Sequence, residues 1–109
     1  MVKEKQKVAV NLIKDILKEK GIRVSKVIIF GSRVSGKALK DSDLDIVILS
    51  KDFEGKDIFE KVKMARGLHR KLVKQLLMPL DILYYSPLEW KNNISPIIEI
   101  AKKQGISYS

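Results

Sequence analysis

Asp43 and Asp45 stand at alternate positions where a polar segment runs into the apolar stretch Ile46-Val47-Ile48-Leu49. In a strand, alternate side chains share a face, so both carboxylates project from one side while Leu44, Ile46 and Ile48 occupy the other. Their Cα atoms lie about 6.5 Å apart at strand rise, close enough for both carboxylates to reach one divalent ion or to bracket a pair. A third aspartate, Asp81, is embedded between Leu80 and Ile82. A carboxylate within an apolar run is expensive unless a metal or a basic partner compensates it, and this applies to Asp45 and Asp81 alike. Separated from Asp43 by ten residues stands Gly31-Ser32, at the end of the buried-strand pattern Val27-Ile28-Ile29-Phe30. Such a small-residue turn lets a backbone approach a phosphate closely. Hard oxygen donors of this kind suit magnesium, which binds a few carboxylates together with substrate phosphates and water. Two such ions about 3.5–4 Å apart can stabilise the attacking and the leaving oxygen of an in-line displacement at phosphorus.

The elements that must carry these residues read out in order. Residues 2 to about 20 form an amphipathic helix through Ala9, Leu12, Ile13, Ile16 and Leu17, with Gly21 at the place of a C-terminal cap. The first strand follows, then a polar connection from Arg33 to Ser42, then a second strand, Leu44 to Leu49. Lys51 to Gly55 reads as a loop. Lys56 to about Leu77 reads as one long basic helix with Ile58, Val62, Ala65, Leu68 and Leu72 toward the core, ended by Pro79. Leu80 to Tyr85 is a third strand with Asp81 and Leu83 on one face. Ser86-Pro87 starts a short helix through Asn92, and Pro96 to Lys103 a final one closed by Gly105. Ile106 to Ser109 adds an edge strand. The expected organisation is a single α/β domain over residues 1–109, an α+β arrangement with a small mixed, twisted sheet flanked by helices.

Twenty-two Lys and Arg against thirteen Asp and Glu give a net charge of +9, which favours polyanionic partners. Cysteine is absent, so disulfides, thiolate chemistry and cysteine zinc sites are excluded. No stretch approaches the roughly 20 apolar residues that span a bilayer, and Met1 to Lys7 lacks a signal-peptide core. The expectation is a soluble, cytoplasmic protein.

The pattern Gly31-Ser32-x10-Asp43-x-Asp45, followed by the strand aspartate Asp81, resembles the minimal nucleotidyltransferase family within the polymerase-beta-like superfamily. The resemblance extends over nearly the whole chain, and Arg33, Gly36 and Ser42 fit it as well. Ser35 departs from it, since many relatives carry a basic residue there. What it implies is a nucleotidyltransferase fold in which Gly31, Ser32 and Arg33 bind the nucleotide triphosphate. Asp43, Asp45 and Asp81 would be the catalytic residues and the ligands of two Mg2+ ions. It further implies transfer of a nucleoside monophosphate, AMP from ATP or another NTP, to a hydroxyl, with pyrophosphate released. By the same resemblance, the chain is expected to be the antitoxin partner of a HEPN-domain ribonuclease.

Blander readings stand beside these. Asp43 can be a turn former within Asp41-Ser42-Asp43. His69, the lone histidine, reads as a surface or helix-packing residue. Lys61, Lys63, Arg66, Arg70, Lys71 and Lys74 read as a solvated helix face that could also meet a polyanion. Trp90, Tyr84 and Tyr85 read as core or interface residues, with Tyr84 or Tyr85 able to flank a base near Asp81. Two rival functions follow: a catalytically silent nucleotidyltransferase-fold module that neutralises a partner by contact, and a basic nucleic-acid-binding protein.

Overall fold

The computed structural model describes residues 2–30, 44–93 and 95–108, without the side chains of Val2, Lys3 and Ile97. Four strands form one sheet: β1 (Lys26–Phe30), β2 (Leu44–Leu49), β3 (Leu80–Tyr85) and β4 (Ile106–Tyr108), in the spatial order β3-β2-β1-β4. β1 pairs antiparallel with β2 and with β4, whereas β2 and β3 run parallel. All six residues of β2 are buried, as expected of a strand flanked on both edges and covered on both faces.

The alternation of side chains divides the sheet into two unlike faces. Val27, Ile29, Leu44, Ile46, Ile48, Leu80 and Tyr84 belong to the larger cluster, beneath α1 (Val2–Glu19) and α3 (Leu68–Leu76). Ala9, Ile13 and Leu17 of α1 and Leu68 and Leu72 of α3 are almost wholly buried there, the i, i+4 spacing in each helix producing one apolar stripe. α1 ends at Gly21, whose φ of +77° is open to glycine without strain. Around it the Ile22 N–H donates to the Leu17 carbonyl at 2.9 Å and the Gly21 N–H to that of Lys18 at 3.0 Å, the double closure of a Schellman motif. The opposite face carries a smaller cluster, Ile28, Phe30, Val47 and Leu49 with Ala101, bordered by Leu83, Tyr85 and Trp90.

The expected single helix from Lys56 to Leu77 is instead two: α2 (Ile58–Met64) and α3. Gly67 takes a φ of +87° between them, a left-handed conformation that ends one helix and begins another at little steric cost. The helix face changes with it. Ala65, Leu68 and Leu72 are buried as expected, but Ile58 and Val62 are exposed, so these two assignments to the core are corrected. α3 ends at Leu76 with Leu77 as its cap, ahead of Pro79 as expected, and the Lys51–Gly55 loop contains a 3₁₀ turn over Lys51–Phe53 capped by Ser50. The remaining boundaries match: α4 (Pro87–Asn92) begins at a Ser86 capping box, and α5 (Pro96–Gln104) leads into β4 on the edge. Gly105, between the last two, is held to glycine by space, since a Cβ there would lie 2.4 Å from the Ala101 carbonyl oxygen and 2.6 Å from Ile28 Cγ2.

Candidate active site

Asp45 and Asp81 are direct register partners on the adjacent parallel strands β2 and β3. Neighbouring strands lie about 4.8 Å apart, and residues opposed in register project to the same face. Alternation puts both carboxylates on the face of Val47, Leu49, Leu83 and Tyr85, the one with the smaller apolar cluster. Asp45 is 3% exposed, and the Oδ2 atom of Asp81 is buried as well. On its other side Asp45 opposes Phe30, the last residue of β1. The two segments that supply Asp45 and Asp81 are 36 positions apart in sequence and are brought together by the β2–β3 pairing.

Two carboxylates held side by side in a largely buried place repel one another, and a cation between them relieves both the repulsion and the loss of water. The donor set fits a hard divalent ion, which prefers carboxylate oxygen and tolerates a protein contribution of only a few ligands. Among the described residues no group of three candidate ligands is gathered. Asp43 lies outside the described residues, as do Gly31, Ser32, Arg33 and Gly36.

Around β3 the other singled-out side chains have structural places. His69 Nε2 lies 2.8 Å from the Leu80 carbonyl oxygen. A carbonyl can only accept, so Nε2 carries the proton and donates, fastening α3 to the backbone beside Asp81. That agrees with a helix-packing histidine. Tyr84 is buried against Phe53, ring centroids 5.6 Å apart, and burial pushes its phenol up to about 12. It sits on the helix-covered face, away from that of the aspartates, so of the two tyrosines only Tyr85 shares their side of the sheet. The Tyr85 phenol is also raised, first by burial and then by the charge of Glu89, against a hydrogen bond from Asn93.

Lys61 is not part of a solvated cationic face. It is 4% exposed, and its Nζ donates to both Glu89 oxygens, at 2.7 and 2.8 Å, while lying 5.5 Å from the centre of the Tyr85 ring. Glu89 also closes the capping box of α4, accepting from the Ser86 N–H at 2.9 Å. The pair therefore joins α2 to the start of α4. The sequence signal for half of this was available, in the Ser86-x-x-Glu89 spacing, but nothing local pairs Glu89 with a lysine 28 residues earlier.

Residues 10–106 match the family model for the nucleotidyltransferase domain, so the chain belongs to the family of nucleotidyltransferase domains. These are transferases that use nucleoside triphosphates and divalent metals. Among solved structures, a protein of Sulfolobus solfataricus assigned as a nucleotidyltransferase, with a crystal structure at 1.40 Å, is similar with a TM-score of 0.50 and 23% identity. The similarity covers 96% of this chain and 83% of that one, and it supports the mixed α+β fold described above. No match was found among curated proteins. Among the described residues no helix is long and apolar enough to cross a membrane.

Proposed function

We propose that the protein is a single-domain, cytoplasmic, magnesium-dependent nucleotidyltransferase that moves AMP from ATP to a hydroxyl group of a protein acceptor. The observation that carries this is the in-register pairing of Asp45 with Asp81 within a family whose members use nucleoside triphosphates. Chain connectivity adds support: Gly31-Ser32-Arg33 follows directly on Phe30, the strand partner of Asp45, and Asp43 directly precedes β2. In this reading Asp43, Asp45 and Asp81 would hold two magnesium ions, which would lower the charge on the triphosphate and favour the ionised acceptor oxygen. Gly31 and Ser32 offer backbone N–H groups and a hydroxyl to the β- and γ-phosphates, and Arg33 adds a cation. Asp81 accepts the proton of the acceptor hydroxyl. The acceptor oxygen then bonds to the α-phosphorus, the bond to the bridging oxygen breaks, and pyrophosphate leaves.

The family resemblance points to the antitoxin of a HEPN-domain ribonuclease as the biological setting. The test is incubation of the protein with ATP labelled at the α-phosphate, magnesium and a HEPN-domain protein encoded beside it. Label on that partner, lost with a chelator and in Asp45→Asn, supports the reading. Absence of both ATP binding and label transfer in the presence of the partner overturns it and favours a silent binding module.

A further inference from the structure

Helix α2 buries a lysine while exposing most of its apolar side chains. Of its two lysines, Lys63 is exposed but Lys61 is only 4% exposed, whereas Ile58, Phe59 and Val62 are 55%, 82% and 51% exposed. A helix on the surface of a globular protein ordinarily buries its apolar side chains and presents its cations to water. Here the orientation is fixed at two points: the Asp57–Glu60 capping box starts the helix, and the Lys61–Glu89 pair holds the lysine inward. The apolar side chains are consequently presented outward by a well-anchored element. Phe59 and Val62 line a groove of about 620 Å³ whose far wall belongs to α3 and whose lining includes Tyr84. Lys63, Arg66 and Arg70 also line it, and no carboxylate does among the described residues.

We propose that this groove is the docking site for an acidic segment of a partner protein that inserts apolar side chains between α2 and α3. Exposed apolar surface ringed by polar groups marks an interaction site, and an apolar strip with one sign of charge at its rim selects the opposite sign on the occupant. A helix with apolar anchors at i, i+3, i+4 and i+7 and carboxylates between them satisfies both features. A second copy of this chain would bring the same three cations to the same rim, on a body that already carries a net +9. A nucleic acid would pair with the cations but leave Ile58 and Val62 against sugar and phosphate, with one exposed aromatic ring for stacking. An anionic membrane suits a protruding apolar ridge, whereas Val62 and Phe59 border a concavity. The inference rests on α2 and α3 alone and does not depend on nucleotidyl transfer.

The test is unbiased selection of peptides on the whole protein from a random displayed library, followed by affinity measurement of the enriched sequences by fluorescence anisotropy. The expected result is enrichment of Asp- or Glu-rich sequences with apolar anchors. Their affinity should fall about tenfold or more in Phe59→Ala and in the double variant Arg66→Glu, Arg70→Glu, with ATP binding and thermal midpoint unchanged. Phe59 is exposed enough that its truncation leaves the fold intact, and Val62→Ser serves as an independent second variant. Any of four outcomes overturns the proposal: no enrichment, enriched peptides insensitive to Phe59→Ala, tighter Phe59-dependent binding of a single-stranded RNA or of phosphatidylserine vesicles, or self-association of the protein abolished by Phe59→Ala. Loss of ATP binding in the parent protein would instead count against the transferase reading and leave this one standing.

Discussion

The two faces of the sheet use the same strands for opposite purposes. On one, Leu44, Ile46, Ile48 and Leu80 interlock with α1 and α3 in a continuous apolar cluster. On the other, the neighbouring residues of the same strands are Asp45 and Asp81, and the apolar cluster beside them is small. Stability resides chiefly on the first face and chemistry on the second, and the period of two along β2 and β3 is what keeps them apart. A carboxylate can be tolerated at the centre of this sheet because the covered face supplies the burial that the other gives up. Substitutions on the two faces should therefore separate activity from stability.

The largest effect is expected at the aspartates. Asp45→Asn and Asp81→Asn should each lower label transfer from ATP by on the order of 10²–10³-fold or more, since a group acting on developing charge is lost. In metal-free buffer the thermal midpoint of either variant should be at least as high as that of the parent, because one of two adjacent negative charges is gone. Turnover retained in both variants would remove the catalytic assignment. On the covered face the pattern reverses. Leu72→Ala, at a side chain with no exposure beneath the sheet, should cost about 2–5 kcal/mol in denaturant unfolding while leaving the ATP affinity of the folded fraction unchanged.

How far the sequence alone reaches also differs between the faces. Three strands and the first helix were legible because each carries a strong local period, and the face shared by Asp81 and Leu83 follows from the same alternation. The pairing of Asp45 with Asp81 was not legible from periodicity, since it depends on β2 and β3 being adjacent and parallel with zero offset, a long-range choice made by the intervening helices. The family resemblance implies that the two aspartates share a site, but not the register in which they meet. The single helix expected over Lys56 to Leu77 fails for a definite reason. Its period runs through Gly67, which at φ +87° breaks it and turns the next helix to a different face. Ile58 and Val62 then fall on the outside, and Lys61 on the inside. Local pattern favours the opposite arrangement, so only the Glu89 carboxylate 28 residues away explains it.

Two smaller effects refine the comparison. Gly105→Ala forces a methyl group toward the Ala101 carbonyl and the Ile28 side chain, which lies under α5 on the less covered face. A cost of about 1–3 kcal/mol is expected from overpacking, read as a lower urea midpoint with an unchanged slope.

The smallest expected effect lies at Lys61–Glu89 and depends on pH. Burial alone would raise the Glu89 carboxyl, but the Lys61 hydrogen bond, the Ser86 N–H and the Lys61 charge outweigh it, so the group is held below its ordinary 4.5. A carboxylate with a depressed folded-state value binds protons more weakly in the folded chain than in the unfolded one. Its contribution is therefore complete above about pH 4.5 and is lost as the pH falls through the lower folded value. Glu89 is 39% exposed on its side chain, so water screens the pair, and the contribution should be about 1 kcal/mol or less. Glu89→Gln should accordingly lower the urea midpoint at pH 7, and the gap to the parent should close on acidification below pH 4.5. A gap of constant size down to the acid limit would mean that Glu89 acts through its capping geometry, which glutamine preserves in part, and not through its charge on Lys61. The orientation of α2 would then have to be fixed by packing around Tyr85, and Glu89→Gln would leave peptide binding at Phe59 untouched.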